Sequence, residues 1–331
     1  MRKKWIRGGI FLCLVLLLLN NLNRVLCVKS PHGVDQTRYL YVQPKNKIDV
    51  LFLGSSHVHC NVNTQLLWDE YGMAAYLMTG AEQPLWNSYY NLKEALKTQK
   101  PKLVVLDMFC PSRFYDDFQP GWADENLDGM RISLNKLEAV YTSVQEEQSH
   151  FFLGFTEYHS RYDQLTTEDF QNFVWNRKTQ ERWKGYTPLN RHAELTEPDM
   201  SHVTTSQEMT EKSKEYFEKI VELTQKEGIT LALISGPYLL EERDQEVYNS
   251  IGQLAEKDGL LFWNTNTPAH YREMGLDFST DYADHAHLNE AGGAKYTAYL
   301  GKWLSQNYSF PDRRGQKGYE SWENQLMKSG E

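Results

Sequence analysis

Two short stretches of the sequence combine residue types that can perform nucleophilic chemistry. In the first, an apolar run, Ile48–Leu53, stops at Gly54-Ser55-Ser56-His57. In the second, Asp284 precedes His287 by three residues, just before a segment with helical spacing. A carboxylate at that distance can bend back to the imidazole Nδ1, fix its tautomer and leave Nε2 facing outward. A serine at a strand end would complete a Ser–His–Asp relay in which His287 takes the proton of Ser56.

Both stretches also have an ordinary structural explanation. A glycine followed by serines is typical of a strand-to-helix connection, and Asp-x-x-His can be a helix cap beside a surface histidine. Ser55 competes with Ser56 for the role of nucleophile. A serine that precedes the nucleophile can hydrogen-bond the turn instead, so we prefer Ser56.

Segments with strand and helix character alternate along the chain. The apolar runs predict five buried strands: Ile48–Leu53, Met73–Met78, Lys102–Leu106, Thr230–Ser235 and Leu260–Trp263. Helices are predicted between them: Asn63–Tyr71, Leu85–Thr98, one opened by Thr204 and Thr205 with Gln207 and Glu208 and closed by Gly228, Glu241–Asp258, and one capped by Asn289 and running to Leu304. Parallel neighbours need crossover connections, so the pattern predicts an α/β fold with a doubly wound, mostly parallel sheet.

Residues that follow the strands are expected to share one edge of this sheet. Ser56, Gly80, Asp107 and Gly236 all come just after a predicted strand. Ligands of such sheets bind beyond the carboxyl ends of the strands. This edge is therefore the predicted site.

The alternation breaks over residues 111–203, which we interpret as an insertion lying over the sheet. Tyr158, His159 and Arg161 concentrate groups that can stack on sugar rings and hold a carboxylate or phosphate, although they could equally bury a satellite core. We predict them as substrate-binding residues, with His57 and His285 lining the cleft.

The histidines and cysteines allow other interpretations. His57-Val58-His59-Cys60 and His285-Ala286-His287 could gather imidazoles around zinc, but few further ligands are nearby, so we predict no metal and no cofactor. Cys60 and Cys110 each follow a strand by a few residues. They could form a disulfide or remain two buried thiols.

Composition and the N-terminus limit the class of protein. The 331 residues are 40% hydrophobic, which excludes global disorder, and the net charge of -9 argues against a nucleic-acid partner. Arg2, Lys3, Lys4 and Arg7 precede the apolar stretch Gly8–Leu19. No small-residue cleavage site follows, and apolar character resumes at Val25–Val28, which favours an uncleaved anchor over a cleaved signal peptide. The flanking charges predict a single-pass protein of the cell membrane, with a cytoplasmic N-terminus and an extracytoplasmic globular part.

Together these blocks resemble the SGNH (GDSL-like) hydrolase superfamily, over Ile48 to about Leu304 apart from the insertion. Because Ser55 and His57 replace residues of the common Gly-Asp-Ser-Leu block, the chain looks like the membrane-anchored branch related to teichoic acid D-alanylation and alginate O-acetylation proteins. The resemblance implies a three-layer α/β/α flavodoxin-like sandwich with five parallel strands. It also implies a nucleophile at Ser56, with Asp284 and His287 completing the triad.

The resemblance further implies an oxyanion hole formed by the backbone N–H groups of Ser56 and Gly80 with a side-chain amide. The family's Gly-x-Asn block after the third strand is absent, since the chain reads Leu106-Asp107-Met108-Phe109. Asn87 or Gln83 could supply the missing amide, or could be ordinary solvated helix residues.

The predicted organisation has four parts: 1–28 as N-terminus and anchor, 29–47 as linker, 48–310 as catalytic domain with the insertion 111–203, and 311–331 as polar tail. The predicted function is that of a serine acyl-ester hydrolase or O-acyl(acetyl)transferase acting on a cell-surface polysaccharide or related glycopolymer. A membrane-bound O-acyltransferase is a candidate partner by analogy. The alternative is a non-catalytic glycan-binding or scaffold protein that retains the fold.

Overall fold

The fold is built on one five-stranded parallel sheet. The computed structural model describes residues 2–26, 32–113, 117–118, 120–152, 159–171 and 182–323. The strands are β1 (Val50–Gly54), β2 (Ala75–Thr79), β3 (Leu103–Asp107), β4 (Thr230–Ser235) and β5 (Leu261–Asn264). Their order is β2-β1-β3-β4-β5, and every neighbouring pair is parallel. The chain thus reverses its direction of winding after β2, and a ligand site is expected beyond the carboxyl ends of β1 and β3.

Helices precede the first strand, occupy the connections between the strands and follow the last strand. They are α1 (Arg2–Leu26), α2 (Val34–Leu40), α3 (Ser56–Asn61), α4 (Thr64–Tyr71), α5 (Leu85–Ala95), α6 (Phe109–Arg113), α7 (Ala123–Leu127), α8 (Leu134–Ser143), α9 (Thr167–Gln171), α10 (Glu211–Glu227), α11 (Glu242–Lys257), α12 (Pro268–Met274), α13 (Glu290–Asn307) and α14 (Glu320–Glu323). Short 3₁₀ turns lie at Pro120–Trp122, Gln148–Phe151, His159–Asp163 and Arg182–Gly185.

The sheet is buried on both faces. Successive strand residues point to opposite sides, so Leu51 and Leu53 enter one apolar core while Val50 and Phe52 enter the other. The first core packs against α5, α10 and α11, and the second against α4, α12 and α13. This arrangement confirms the predicted α/β sandwich with a five-stranded parallel sheet.

The helices of the structure differ from the predicted ones at one boundary and in several short elements. The helix predicted to open at Thr204 and Thr205 begins at Glu211, because the Thr210 hydroxyl accepts from the Ser213 N–H and so caps it. The residues before it extend along α11, where the Gln207 N–H donates to the Glu246 carbonyl. Four helices outside the insertion, α2, α3, α12 and α14, were not predicted, since each is too short to show a clear apolar period.

Both segments that flank the predicted catalytic domain pack against it. Helix α2 lies in the range assigned to the linker, and its Gln36 side chain accepts from the Thr79 N–H at the end of β2. In the range assigned to the polar tail, Arg313 forms a bidentate pair with the buried Asp49 carboxylate. Trp322 is fully buried there. These flanks therefore contribute to the core.

Helix α1 has the length and composition of a membrane span. The stretch Lys3–Asn23 carries few charges, and none of it is buried against the rest of the protein. A signal sequence meets the same criteria, so the helix is compatible with an anchor or a signal.

Trp322 provides a test of the packed C-terminal segment. Its indole N–H donates to the Ala75 carbonyl at 3.0 Å, and its ring stacks with Trp68. Trp322→Ala should lower the free energy of unfolding by about 3–5 kcal/mol, because it removes a buried aromatic side chain and leaves a cavity. Chemical denaturation measures this, with Trp122→Ala as control since Trp122 is 42% exposed. Equal, small decreases in the free energy of unfolding of both variants would contradict a C-terminal segment that packs against the core.

Candidate active site

The turn between β1 and α3 holds both candidate serines. Gly54 has φ +149°, and a Cβ at this position would lie 2.5 Å from the Asp107 Cβ, so only glycine fits between β1 and β3. Ser55 caps α3, because its hydroxyl accepts from the His57 N–H. Ser56 is the first residue of the helix.

The two serines differ in exposure. Ser55 is fully buried, and its hydroxyl donates to the Asp107 carboxyl at 3.3 Å. Ser56 is partly exposed, and its hydroxyl lies 2.8 Å from His287 Nε2. Since a nucleophile must reach both a base and a substrate, the geometry favours Ser56 and gives Ser55 a role in holding the turn.

Asp284 and His287 are joined in the manner expected from their spacing. Asp284 Oδ1 accepts from His287 Nδ1 at 2.8 Å and from the backbone N–H groups of Ala286 and His287 at 2.9 and 3.0 Å. A carboxylate acceptor at Nδ1 places the imidazole proton there. Nε2 then carries the lone pair that faces the Ser56 hydroxyl.

The loop that carries these residues is fixed at both ends. Tyr282 and Leu288 form an antiparallel bridge across its base. The Leu288 N–H donates to the Asn61 side chain at the end of α3, and Asn289 caps α13 by accepting from the Gly292 N–H. The same helix that begins at Ser56 therefore also holds the loop of His287.

The environment keeps the Asp284 carboxylate ionised. Partial burial acts to raise its pKa, but the hydrogen bond and charge of His287, the Ala286 N–H and the Arg191 guanidinium together lower the pKa well below its usual value. Asp284 is thus a permanent anion beside His287 at neutral pH.

The proposed oxyanion donors are only partly placed by the structure. As the first residue of α3, Ser56 has an N–H without an intrahelical acceptor. The Gly80 N–H lies near the same turn but makes a long bond, 3.4 Å, to the Gly54 carbonyl. The Asn126 side-chain oxygen would lie 2.1 Å from a Cβ at position 80, so this close approach requires glycine.

The two side chains considered as a third donor both form hydrogen bonds with other parts of the fold. Both residues are buried rather than solvated. The Gln83 amide nitrogen donates to the Met78 carbonyl and the Ser88 hydroxyl. The Asn87 side-chain oxygen accepts from Ser143 in α8. Neither interaction directs the side chain to Ser56.

His57 and His285 lie next to the candidate triad. His57 is buried, stacks on Phe109 with ring centroids 3.7 Å apart, and lies 5.9 Å from the His287 ring. Burial, together with the nearby His287 and Arg113, lowers the pKa of His57 well below the usual value. The His57 imidazole is therefore a neutral group that lines the site. His285 is exposed, and its carbonyl accepts from the Leu239 N–H.

The insertion residues predicted to bind substrate lie elsewhere. His159 and Arg161 form a 3₁₀ turn at the C-terminal end of α1, where Arg161 donates to the Leu26 carbonyl and pairs with Asp169. Tyr158 lies outside the described residues. The contacts of Arg161 thus join the insertion to the N-terminal helix.

Among the described residues, the histidines and cysteines form neither a metal site nor a disulfide. No group of three or more His, Cys, Asp or Glu side chains there is arranged to hold a metal ion. Cys60 and Cys110 are both free and buried. Burial raises the pKa of each thiol, so both are thiols at neutral pH.

Two residues near the triad were not predicted as functional. Asp107 stands at the end of β3, and its buried carboxyl bonds Ser55 under the nucleophile turn. Arg191 donates to Asp284 Oδ2 at 2.9 Å from within the insertion. The position of Asp107 at the end of a predicted strand could have indicated that it lies in the site. Nothing in the sequence near Arg191 indicated that it contacts Asp284.

Comparisons with known proteins give only distant similarities. No family model matches the chain, and no curated protein matches it. A protein assigned as an acylhydrolase from Bacteroides fragilis is 13% identical, with a TM-score of 0.38 over 82% of this chain and 94% of that one. Two variants of an acetyl-xylooligosaccharide esterase from Geobacillus are each 11% identical, with TM-scores of 0.40 and 0.38, over 81% of this chain and 97% and 98% of theirs. Similarities this remote support no argument about function.

Asp107 predicts an unusual dependence of stability on pH. Burial raises its pKa from 3.8 to about 7, so between about pH 4 and pH 7 the folded state binds more protons than the unfolded state. Its contribution to the free energy of unfolding should therefore fall as pH rises through this window, by roughly 4 kcal/mol at most.

Asp107→Asn should remove this dependence. Urea denaturation at pH 5 and pH 8 should show the variant gaining stability relative to wild type at the higher pH. Asp258→Asn, at an exposed helix end, is the control. If the free energy of unfolding varied with pH in the same way in wild type and Asp107→Asn, this would contradict the claim that the Asp107 carboxyl is uncharged at low pH and charged at high pH.

Proposed function

We propose that the protein is a serine acyl-ester hydrolase or O-acyltransferase of the SGNH type. The observation that carries this proposal is the continuous chain of hydrogen bonds from Asp284 through His287 to the partly exposed Ser56 hydroxyl, with both links at 2.8 Å. A helix cap beside a surface histidine would explain the first link but not the second. Both links together are what proton transfer from a serine requires.

Acylation begins at the Ser56 hydroxyl. Its Oγ attacks the ester carbonyl carbon while His287 Nε2 takes the proton, and Asp284 stabilises the imidazolium that forms. The carbonyl oxygen becomes an oxyanion, for which the Ser56 N–H is the available donor at the start of α3. Collapse of this intermediate breaks the ester bond, and His287 returns the proton to the leaving alcohol. The acyl group is then bound to Ser56.

Deacylation repeats these steps with a second oxygen nucleophile. Water yields a carboxylic acid and makes the protein an esterase, whereas a sugar hydroxyl yields a new ester and makes it a transferase. A well-positioned hydroxyl can outcompete water because its encounter is effectively unimolecular. We propose a cell-surface glycopolymer as the carbohydrate partner, with the apolar helix α1 holding the domain at the membrane. A membrane-bound O-acyltransferase would then be a partner that supplies acyl groups.

The alternative, a glycan-binding protein without turnover, also has a structural observation in its favour. The family's Gly-x-Asn block is absent after β3, which ends at Asp107, and the Gly80 N–H is engaged with the Gly54 carbonyl. A site with a single free oxyanion donor would lose about 3–4 kcal/mol of transition-state stabilisation for each missing donor. The two proposals differ in whether Ser56 is chemically activated.

Reaction with a fluorophosphonate that labels activated serines separates these proposals. The wild type should be labelled once, and Ser56→Ala should not be labelled and should lose at least about 10⁴-fold in ester hydrolysis. Ser55→Ala is the matched control, because it loses the bond to Asp107 but keeps Ser56 and His287 and should still be labelled. Peptide mass spectrometry locates the adduct. Equal labelling of wild type and Ser56→Ala, or no labelling of either, would contradict the enzyme.

The role of α1 is tested by whether the helix remains part of the protein and holds it in the membrane. As an anchor, the helix should remain on the protein, so the intact mass should include residues 2–26 and the protein should resist carbonate extraction. The expected reason is that a span of this length and composition partitions stably into a bilayer. A soluble product that begins beyond residue 26 would show a cleaved signal instead.

A further inference from the structure

The segment 159–171 is the part of the insertion that packs against the C-terminal end of α1. The Arg161 guanidinium donates to the Leu26 carbonyl, which belongs to the last turn of α1, where carbonyls have no N–H partner within the helix. A cation at this end of a helix is also favoured by the helix dipole. Arg161 pairs in addition with the buried Asp169 carboxylate at 3.6 Å. The segment is therefore fixed directly to the last turn of α1.

The length of α1 places this contact at the surface of the membrane that the helix spans. The candidate span Lys3–Asn23 has 21 residues. At about 1.5 Å per residue it is about 31 Å long, which matches a hydrocarbon core of about 30 Å. Leu26 follows about 4–5 Å beyond the end of this span. Because the headgroup layer on each side of the core is about 5–8 Å thick, the contact between Leu26 and Arg161 lies within that layer.

Two aromatic side chains beside this contact are exposed. Tyr162 follows Arg161 directly and is 73% exposed, and Phe170 follows Asp169 directly and is 53% exposed. A single exposed apolar side chain is ordinary, but each of these two is adjacent in the chain to one member of the same ion pair. Tyrosine is enriched at membrane interfaces, and phenylalanine is typical of protein surfaces that enter them. The place of the two rings therefore favours the lipid bilayer as the surface that covers them.

The charge of the segment argues for insertion of the rings rather than attraction to lipid phosphates. Surfaces that bind anionic headgroups carry clusters of Lys and Arg. The sequence of 159–171 contains one arginine, no lysine and three acidic residues, and Asp163 is exposed beside Tyr162. Neutral phosphatidylcholine is therefore a sufficient membrane for this contact.

The chain enters the α/β domain close to the candidate active site. The His32 ring stacks on His59 with ring centroids 4.8 Å apart, and His59 lies in the helix that begins at Ser56. An extended chain advances at most about 3.6 Å per residue, so His32 lies within about 22 Å of Leu26. The candidate active site is thus near the end of the domain that meets the membrane, and the orientation of the domain decides how the site faces the bilayer.

We propose that Tyr162 and Phe170 insert into the headgroup layer of the membrane, so that the catalytic domain lies on the bilayer in one orientation and is not merely linked to it by α1. The inference rests on one part of the proposed function, the retention of α1 as a membrane anchor. It goes beyond that part, because an anchor alone leaves the domain free to rotate. With the segment 159–171 docked, the height and direction of the Ser56 site above the bilayer are fixed.

Spin labelling of the full-length protein in phosphatidylcholine vesicles tests this docking. Nitroxides are attached at Tyr162→Cys or Phe170→Cys in a variant that lacks Cys13 and Cys27, since the two remaining cysteines are buried. Power saturation measures the access of each nitroxide to oxygen, which concentrates in the bilayer, and to a nickel complex, which stays in water. We expect both labels to lose access to the nickel complex and to retain access to oxygen, relative to a label that faces water.

Leu261→Cys supplies that reference label. Leu261 is also an exposed apolar residue, at 45% exposure, and it begins β5. This strand forms the edge of the sheet opposite β2, to which Gln36 of α2, the helix that follows α1, is bonded. Equal access to the nickel complex at positions 162, 170 and 261 would overturn the docking. Loss of access to both reagents at 162 and 170 would also overturn it, because a protein surface would then cover them.

A second variant tests whether the rings hold the segment on the bilayer. Phe170→Asp, with the nitroxide at Tyr162→Cys, should restore access to the nickel complex at position 162, because a hydrated carboxylate replaces a ring that partitions into the interface. Phe170→Leu keeps an apolar side chain and should leave the label shielded. Unchanged access in Phe170→Asp would mean that α1 alone brings the segment near the lipid, which contradicts the proposal.

Failure of the anchor gives a different result from failure of the docking. A protein whose intact mass lacks residues 2–26 and that does not remain with the vesicles would overturn both the anchor and the docking. A protein that keeps α1 in the bilayer while positions 162 and 170 face water would overturn the docking alone. Labelling of Ser56 by the fluorophosphonate is independent of either result.

Discussion

The site depends on one hydrogen bond between residues that are 231 positions apart, the bond from Ser56 Oγ to His287 Nε2. Nothing local in either segment enforces it. It forms because β1 is an interior strand of a parallel sheet and delivers Ser56 to the carboxyl edge, while the loop before α13 returns to the same edge. The sheet and its helices thus serve to bring a hydroxyl and an imidazole to 2.8 Å.

Asn61 makes this convergence rigid. It ends the short helix that Ser56 begins, and its side-chain oxygen accepts from the Leu288 N–H. Its carbonyl accepts from Thr297 in α13. Asn61 is fully buried, so these bonds are not exchanged for water. A single helix of six residues therefore sets the positions of nucleophile, base loop and following helix relative to one another.

The parts of the fold that the sequence could predict are those with a strong local signal. Continuous apolar runs such as Leu103–Leu106 identify buried parallel strands, and the spacing of Asp284 and His287 is a local property of one loop. Helix α3 was missed because six residues are too few to show a period. The start of α10 was misplaced because several Thr-x-x-Glu/Gln patterns precede it, and tertiary contacts with α11 select among them.

Other features depend on contacts that no local pattern encodes. Arg191 meets Asp284 only because the segment 187–195 is bonded to α3 and α13. The insertion residues His159 and Arg161 had suitable chemistry for sugar binding, yet they pack at the end of α1. The buried pair of Ser55 and Asp107 likewise requires β1 and β3 to be neighbours, which the apolar pattern does not specify.

The most direct test of this account is a crystal structure of the protein after reaction with a phosphonate ester. The account predicts a covalent bond from Ser56 Oγ to phosphorus, with one phosphonate oxygen about 2.7–3.1 Å from the Ser56 N–H nitrogen and His287 Nε2 within hydrogen-bonding reach of the adduct. An unmodified Ser56 whose hydroxyl is more than about 5 Å from His287 Nε2 would contradict it, because no proton could then pass between them.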